Sequence, residues 1–444
     1  MEPHPIRLVV EDDLRRSRLT VFFRLILAIP HFIWFLVWTI GVFFVAILSW
    51  FIVLATAHLP ESLHRFFAKY VRYSTHLYAY LYLAANDYPG FAGEAGDYPV
   101  DAKIGPPARQ SRWKTLFRFF IALPAIFITT ALTGAPGGGG GGSSSWESTG
   151  SDGGQDPGWS SFSGQGGVIV AAAFFGWFVC VALARMPLGF RDLAVYGLRY
   201  SAQTIGFLVF LTDRYPDADT REPAATQPTP EKPIRLRIED DLRRSRLTVF
   251  FRLLLTLPHL VWLVLWSIAV FFALIFGWFA ALFTGRLPDP LHRFVGAFLR
   301  YDTHVFAFLF LIANPFPGFT GRPGSYPVDL EIDPRERQNR WKTFFRIFLA
   351  FPAFVLSSGL WFVLSLVAFF GWFVGVFLGR MPEGLRNLGA YCLRYIQQSY
   401  GYSYLLTDSY PFAGPAEYAE PERGEEPEAL PPWPGPLRPP SLSS

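Results

Sequence analysis

Residues 11–24 read EDDLRRSRLTVFFR, and residues 239–252 read the same letters again. A run of charge is joined directly to a run of Phe, Leu and Val, and the join is made twice. An offset of 228 carries the match far beyond the quoted residues, setting Pro5 over Pro233, Arg72 over Arg300 and Trp113 over Trp341 without a gap. Within each half a fainter repeat appears at an offset of 94, where RSRLTVFFRLILAIP (16–30) lies over QSRWKTLFRFFIALP (110–124). The chain reads as four copies of one module, opening near residues 5, 99, 233 and 327. Such regular periods are the mark of internal duplication.

Composition says what the module is made for. The 444 residues are 51% hydrophobic and 18% aromatic with a mean hydropathy of +0.26, and at 17% charged they fall below the usual soluble domain. The stretch HFIWFLVWTIGVFFVAILSWFIVLATA (31–57) has no charge, and about 20 apolar residues suffice to cross a bilayer. These features predict an all-α, polytopic integral membrane protein. The opening residues MEPHPIRLVVEDDLRRSR lack the apolar core of a signal peptide. Cys180 and Cys392 lie in apolar surroundings, so no disulfide framework is expected. A pI near 9.0 comes from basic residues that border apolar helices, which suits anionic lipid headgroups and not nucleic acid.

Several residues recur in all four copies. Arg18, Arg112, Arg246 and Arg340 precede the apolar run, and Arg24, Arg118, Arg252 and Arg346 sit six residues inside it. Pro30, Pro124, Pro258 and Pro352 follow, then Trp50, Trp177, Trp278 and Trp372, each before a Phe. The second copy alone carries a Gly- and Ser-rich insertion, residues 134–167. A chain of that kind cannot face lipid, where unpaired amides cost several kcal/mol each. The insertion therefore predicts a turn there, and by alignment near 39–41, 267–268 and 357–362. Each unit is then a helical hairpin with its proline mid-span, giving about eight transmembrane helices.

The segment LHRFFAKYVRYSTHLYAYLYLAA (63–85) sets Arg65, Lys69, Arg72 and His76 on one stripe against an aromatic face. This spacing predicts four amphipathic helices lying in the membrane interface, with a third crossing as the alternative because 23 residues could span. Short alternating segments, PIRLVVE (5–11), YPVDAKI (98–104), PIRLRIE (233–239) and YPVDLEI (326–332), predict strands that pair into one small cytoplasmic sheet. Identical arginines in every unit favour parallel units, and the insertion, which lacks Lys and Arg, is expected outside. Asp12 or Asp13 is expected to cap the first helix.

The organisation follows. Residues 1–216 form a first membrane half, with units 5–94 and 95–216. Residues 217–232 are a linker, and 233–412 form a second half with units 233–322 and 323–412. Residues 413–444, rich in Pro and Glu, read as a disordered tail. The motifs DDLRRSRLTVFFRLxLxxPH, GWF, LHRF, RYxTH and YPGF, over roughly residues 5–412 without the insertion, resemble the membrane family known as domain of unknown function 4389. That resemblance implies tandem membrane modules; it implies no activity.

Candidate chemistry is limited to cations. Arg24, Arg118, Arg252 and Arg346 would either snorkel to the interface or share a phosphate site, since guanidinium meets phosphate as a fork. Arg72, Arg199, Arg300 and Arg394 are candidates for anionic lipid contact, each with His76, Gln203, His304 or Gln398 four residues on. His76 and His304 are secondary candidates, and no ligand spacing implies a metal or cofactor. No nucleophile elbow or phosphate loop is present, so no enzyme is expected. The sequence thus predicts a non-enzymatic, multi-pass protein of the plasma membrane, termini cytoplasmic. Its partners would be anionic membrane lipids, with self-association an added option. The competing expectation is an anion transporter or channel with a pathway on the pseudo-two-fold axis.

Overall fold

The computed structural model describes residues 3–134, 167–220 and 230–415. Most of the Gly-rich insertion, residues 221–229 of the linker and residues 416–444 of the tail lie outside the described residues. In chain order the elements are β1 (Ile6–Val10), α1 (Arg18–Leu27), α2 (Ile29–Thr56), α3 (Glu61–Leu81), β2 (Val100–Ile104), α4 (Arg112–Leu116), α5 (Arg118–Thr133), α6 (Val168–Leu183) and α7 (Leu188–Leu208). The second half repeats them as β3 (Ile234–Ile238), α8 (Arg246–Phe250), α9 (Arg252–Thr284), α10 (Asp289–Leu309), β4 (Val328–Ile332), α11 (Arg340–Phe344), α12 (Arg346–Leu378) and α13 (Glu383–Ser403). The fold is mostly helical, and α2, α9 and α12 are long and apolar enough to cross a membrane.

The caps are set by small polar residues. Ser17, Ser111, Ser245 and Asn339 receive backbone N–H groups of the short lead-in helices, as N-caps do. The expected cap from Asp12 or Asp13 is therefore corrected: their carboxylates instead bend the chain before the cap, accepting from Leu14 N–H at 3.2 Å and Arg15 N–H at 2.9 Å.

The expected turns near 39–41, 267–268 and 357–362 are also corrected, because those residues lie inside the unbroken helices α2, α9 and α12. Their small or polar side chains have other uses. The Thr39 hydroxyl lies 2.7 Å from Phe35 O and 3.0 Å from the Tyr70 hydroxyl, and Gly359 lets Val168 approach. The insertion interrupts a helix and does not mark a hairpin turn. Gly134 caps α5 in the left-handed region at φ 64°, and Gly167 backs directly onto it, so α5 and α6 share the place of one long helix.

The hairpin lies further along the chain. Each long helix ends on a left-handed residue, Ala57, Ala184, Gly285 or Gly379, and a proline then opens a 21-residue helix, α3, α7, α10 or α13. His31 meets Tyr73, Phe35 meets Tyr70 and Trp38 meets Phe66, so α3 returns antiparallel along α2. The 21-residue helices were expected at the membrane interface. They form the core instead, and α7 and α13 are buried over most of their length. The single sheet is corrected to two ladders, β1 with β2 from Ile6↔Ile104 to Val10↔Val100, and β3 with β4 from Ile234↔Ile332 to Ile238↔Val328.

Successive units are antiparallel, not parallel. The start of α1 meets the end of α6, where Arg16 N–H donates to Ala184 O at 2.9 Å, and Gln110 N–H donates to Ala57 O at 2.9 Å where α4 begins beside the end of α2. Tryptophans fasten both joints reciprocally. Trp50 donates to Thr115 O and Trp177 to Val21 O, both at 3.0 Å, while Trp278 donates to Thr343 O at 3.0 Å and Trp372 to Val249 O at 3.1 Å. The two halves meet the same way: Phe127 touches Phe370 and Phe175 touches Phe351, so α12 runs antiparallel to α5 and α6.

Three layers result. The long helices form one, the 21-residue helices the next, with α3 against α7, α10 against α13, and Tyr196 of α7 against Tyr391 of α13. The strands pack on the 21-residue helices, β2 on α3, β1 on α7, β4 on α10 and β3 on α13. Antiparallel neighbours whose partners all lie on one side are related by two-fold axes normal to the layers.

Candidate functional site

The arginine six residues inside each apolar run holds the far end of its own unit. Helix α3 ends with Leu83 in the left-handed region at φ 60°, where glycine is the usual residue and any other costs about 1–2 kcal/mol. Leu83 is 2% exposed, so its side chain is anchored while its backbone is strained. Arg16 donates to Leu83 O at 3.1 and 2.9 Å, and Arg24 donates to Tyr80 O and to Ala85 O at 3.2 Å. The carbonyls freed by the helix end are thus gathered by two guanidinium groups.

The lock recurs three more times along the chain. Phe210, Leu311 and Leu405 are also left-handed, and their carbonyls are held by Gln110, Arg244 and Gln338. Arg118 reaches Phe207 O and, at 3.1 Å, Thr212 O; Arg252 reaches Phe308 O and, at 3.0 Å, Ala313 O; Arg346 reaches Tyr402 O and, at 2.9 Å, Thr407 O. Each also lies over the ring it bonds behind, 4.3–4.7 Å from the centroid. The structure therefore places Arg24, Arg118, Arg252 and Arg346 among protein carbonyls, 2–3% exposed. Alternate copies differ in a second respect besides Arg16 and Arg244 standing where Gln110 and Gln338 stand. Arg118 pairs with Asp213 at 2.9 Å and Arg346 with Asp408, whereas the first and third copies have Asn86 and Asn314 there.

The second arginine set braces two strands and the segments that follow two of the 21-residue helices. Arg72 and Arg300 donate through Nε to Ala102 O at 3.1 Å and Leu330 O at 2.9 Å, and Arg199 and Arg394 donate to Asp219 O and Gly414 O. Four residues on, His76 meets Asp101 at 2.8 Å and His304 meets Asp329 at 2.7 Å, while Gln203 and Gln398 donate to Ile6 O and Ile234 O at 3.0 and 2.9 Å. The stripe legible as polar in the sequence is thus a seam to the strands. The carboxylate partners escaped sequence reasoning because they lie in the strands or after the helices, 25 or more residues away. Their recurrence, Asp101 with Asp329 and Asp213 with Asp408, was the available signal.

Burial alone would raise the Asp101 carboxyl, but hydrogen bonds from His76 and the Gly96 and Ala102 N–H groups, with the histidine charge, hold it below its ordinary 3.8. Asp329 is held down likewise by His304, Gly324 and Leu330. A depressed carboxyl contributes stability that is complete above its unfolded value and lost as pH falls through its folded one. Thermal stability should therefore decline on acidification below the ordinary 3.8 of these groups. Asp101→Asn with Asp329→Asn should flatten that decline; an unchanged acid profile in the double variant would count against these pairs.

Exposed cations collect where long helices of two units meet. Arg15 lies opposite Arg185 in an antiparallel bridge, and Arg243 lies opposite Arg380 in another. Arg18, Arg112 and Arg340 cross the same joints to Ala182 O, Ala55 O and Phe283 O at 3.0, 2.8 and 2.8 Å. Among the described residues no group of three His, Cys, Asp or Glu side chains could hold a metal.

A family described as a domain of unknown function (DUF4389) matches residues 18–92, 246–320 and 340–414, just over half the chain. Each match opens at the arginine before an apolar run and closes just past the helix-end lock. No curated protein and no solved structure matches the chain.

Proposed function

This chain belongs to the DUF4389 family, and on that premise we propose that it is a membrane-embedded, non-enzymatic protein that binds and organises anionic lipid at the cytoplasmic leaflet. We read it as four copies of one module, although the family matches three of them. One observation carries the proposal: large apolar side chains are exposed along every long helix, and exposed arginines stand at the helix ends. Apolar burial supplies the attachment, and each basic residue near an anionic surface adds about 1 kcal/mol. Cytoplasmic leaflets carry that anionic charge. The lipid reading is preferred to a pore because Tyr196 and Tyr391 fill the position between the halves.

Flotation of the purified chain with vesicles tests the proposal. Binding should rise with the fraction of anionic lipid and weaken with salt, because exposed charges are screened. Equal binding to zwitterionic and anionic vesicles would refute the lipid preference.

A further inference from the structure

We propose that the layer of long helices lies flat in one leaflet of a bilayer, its helix axes parallel to the membrane plane, with headgroup phosphates at its corners. The inference rests on the membrane reading above and adds the orientation and the partner surface: a single leaflet with anionic headgroups.

The first argument is which surface is apolar. Exposed large apolar side chains occur on the long helices, their lead-in helices and a few adjoining loops, and none lies on α3, α7, α10, α13 or any strand. The opposite face exposes Arg7, Lys103 and Arg237 on the strands. Arg72, halfway along α3, bonds Ala102, so β2 runs beside the middle of that helix. Were the helices upright, the strand charges would meet hydrocarbon at mid-depth, where backbone edges and charges are not tolerated. Lying flat, the apolar layer sinks about 5–10 Å and the strands stay in water.

Length agrees. Helices α9 and α12 have 33 residues each, which is roughly 50 Å against a hydrocarbon core of about 30 Å. Even at the steepest usual tilt, about 40°, each would overrun the hydrocarbon core by roughly 8 Å. The insertion agrees as well. It leaves after Gly134 and returns at Gly167, midway between α5 and α6 of 16 residues each, which in an upright helix is the bilayer centre. A helix in the leaflet plane keeps that point at one depth throughout, within reach of the interface.

Symmetry explains the repeated arginines. With two-fold axes normal to the layer, a flat orientation holds Arg18, Arg112, Arg246 and Arg340 at one depth, whereas upright antiparallel units would place Arg18 and Arg112 on opposite sides. The bridged pairs Arg15 with Arg185 and Arg243 with Arg380 set like charges directly opposite; the exposed Asp13, 3.9 Å from Arg15, offsets one of them in part, and a further anion would offset the rest. A lipid phosphate supplies that anion, since guanidinium binds it as a fork. Trp113 and Trp341, each 74% exposed beside Arg112 and Arg340 at the opposite ends of these joints, suit the headgroup boundary.

The test places single cysteines at the two ends of the first long helix in the full chain, Asp13→Cys at its start and Ala108→Cys beside its end at Ala57; both positions are exposed. The native Cys180 and Cys392 are buried and give the background. Right-side-out and inside-out membrane vesicles are treated with an impermeant maleimide. Both positions should label in the same vesicle type and be protected in the other. Labelling from opposite sides would overturn the flat orientation while leaving lipid binding intact. Recovery of the chain in the soluble fraction would overturn both.

Discussion

Arg346→Met is expected to destabilise the folded protein by about 3–5 kcal/mol, the loss typical when one partner of a buried ion pair is removed. Arg346 is 3% exposed, donates to Tyr402 O and Thr407 O, and pairs with Asp408. Removing it strands a carboxylate that is mostly buried and uncaps the end of α13, where Leu405 is already strained at φ 64°. Asp408 also receives the Asn339 N–H at 2.7 Å, so the start of the same unit's apolar run loosens with it. Arg24→Met is the matched comparison. Its copy has Asn86 where the fourth has Asp408, so no charge is left behind and the loss should be nearer the 1–3 kcal/mol of unsatisfied buried carbonyls. Equal losses on thermal or denaturant unfolding in the same detergent would contradict the distinction between copies.

Gly321→Ala is expected to be as damaging, by at least about 3 kcal/mol, for a backbone reason. The loop after α10 folds back onto that helix, and a methyl at Gly321 would lie 2.1 Å from Ala297 O and 2.9 Å from Tyr301 N. Those atoms belong to a helix backbone that cannot give way locally. At φ +56° the new residue would also sit in the left-handed region. Gly93, its equivalent, would meet Lys69 O at 2.2 Å and Tyr73 N at 2.9 Å. Gly324→Ala separates the two effects, because φ is +70° there and nothing lies within 4 Å. It should cost only the left-handed penalty of about 1–2 kcal/mol. Similar losses at Gly321 and Gly324 would remove the close approach as the explanation.

The repeat was legible because duplication writes itself into one chain: Arg24 and Arg252, or Trp50 and Trp278, need no second sequence to be noticed. Helices, strands and the apolar face also followed from periodicity. What failed was inference from local polarity. Thr39, Ser267 and Ser357–Ser358 resembled turn residues, yet the Thr39, Ser267 and Ser358 hydroxyls bond carbonyls within their own helices and Ser357 is buried. The polar stripe of α3 resembled a solvent or headgroup face, yet it faces β2 through Arg72 and His76. Local pattern fixes periodicity but not the partner, and here the partners are strands and helix ends contributed by distant residues. The antiparallel order of units was hidden for the same reason, since it rests on tertiary joints such as Arg16 with Ala184.

On the proposed orientation, one apolar layer built from antiparallel long helices meets lipid from one side. Polarised infrared absorption of the amide I band, with the full chain in aligned bilayers of mixed zwitterionic and anionic lipid, tests it most directly. The dichroism should set the long helices close to the membrane plane. A dichroism that sets them within the usual tilt of crossing helices, up to about 40° from the normal, would contradict that orientation.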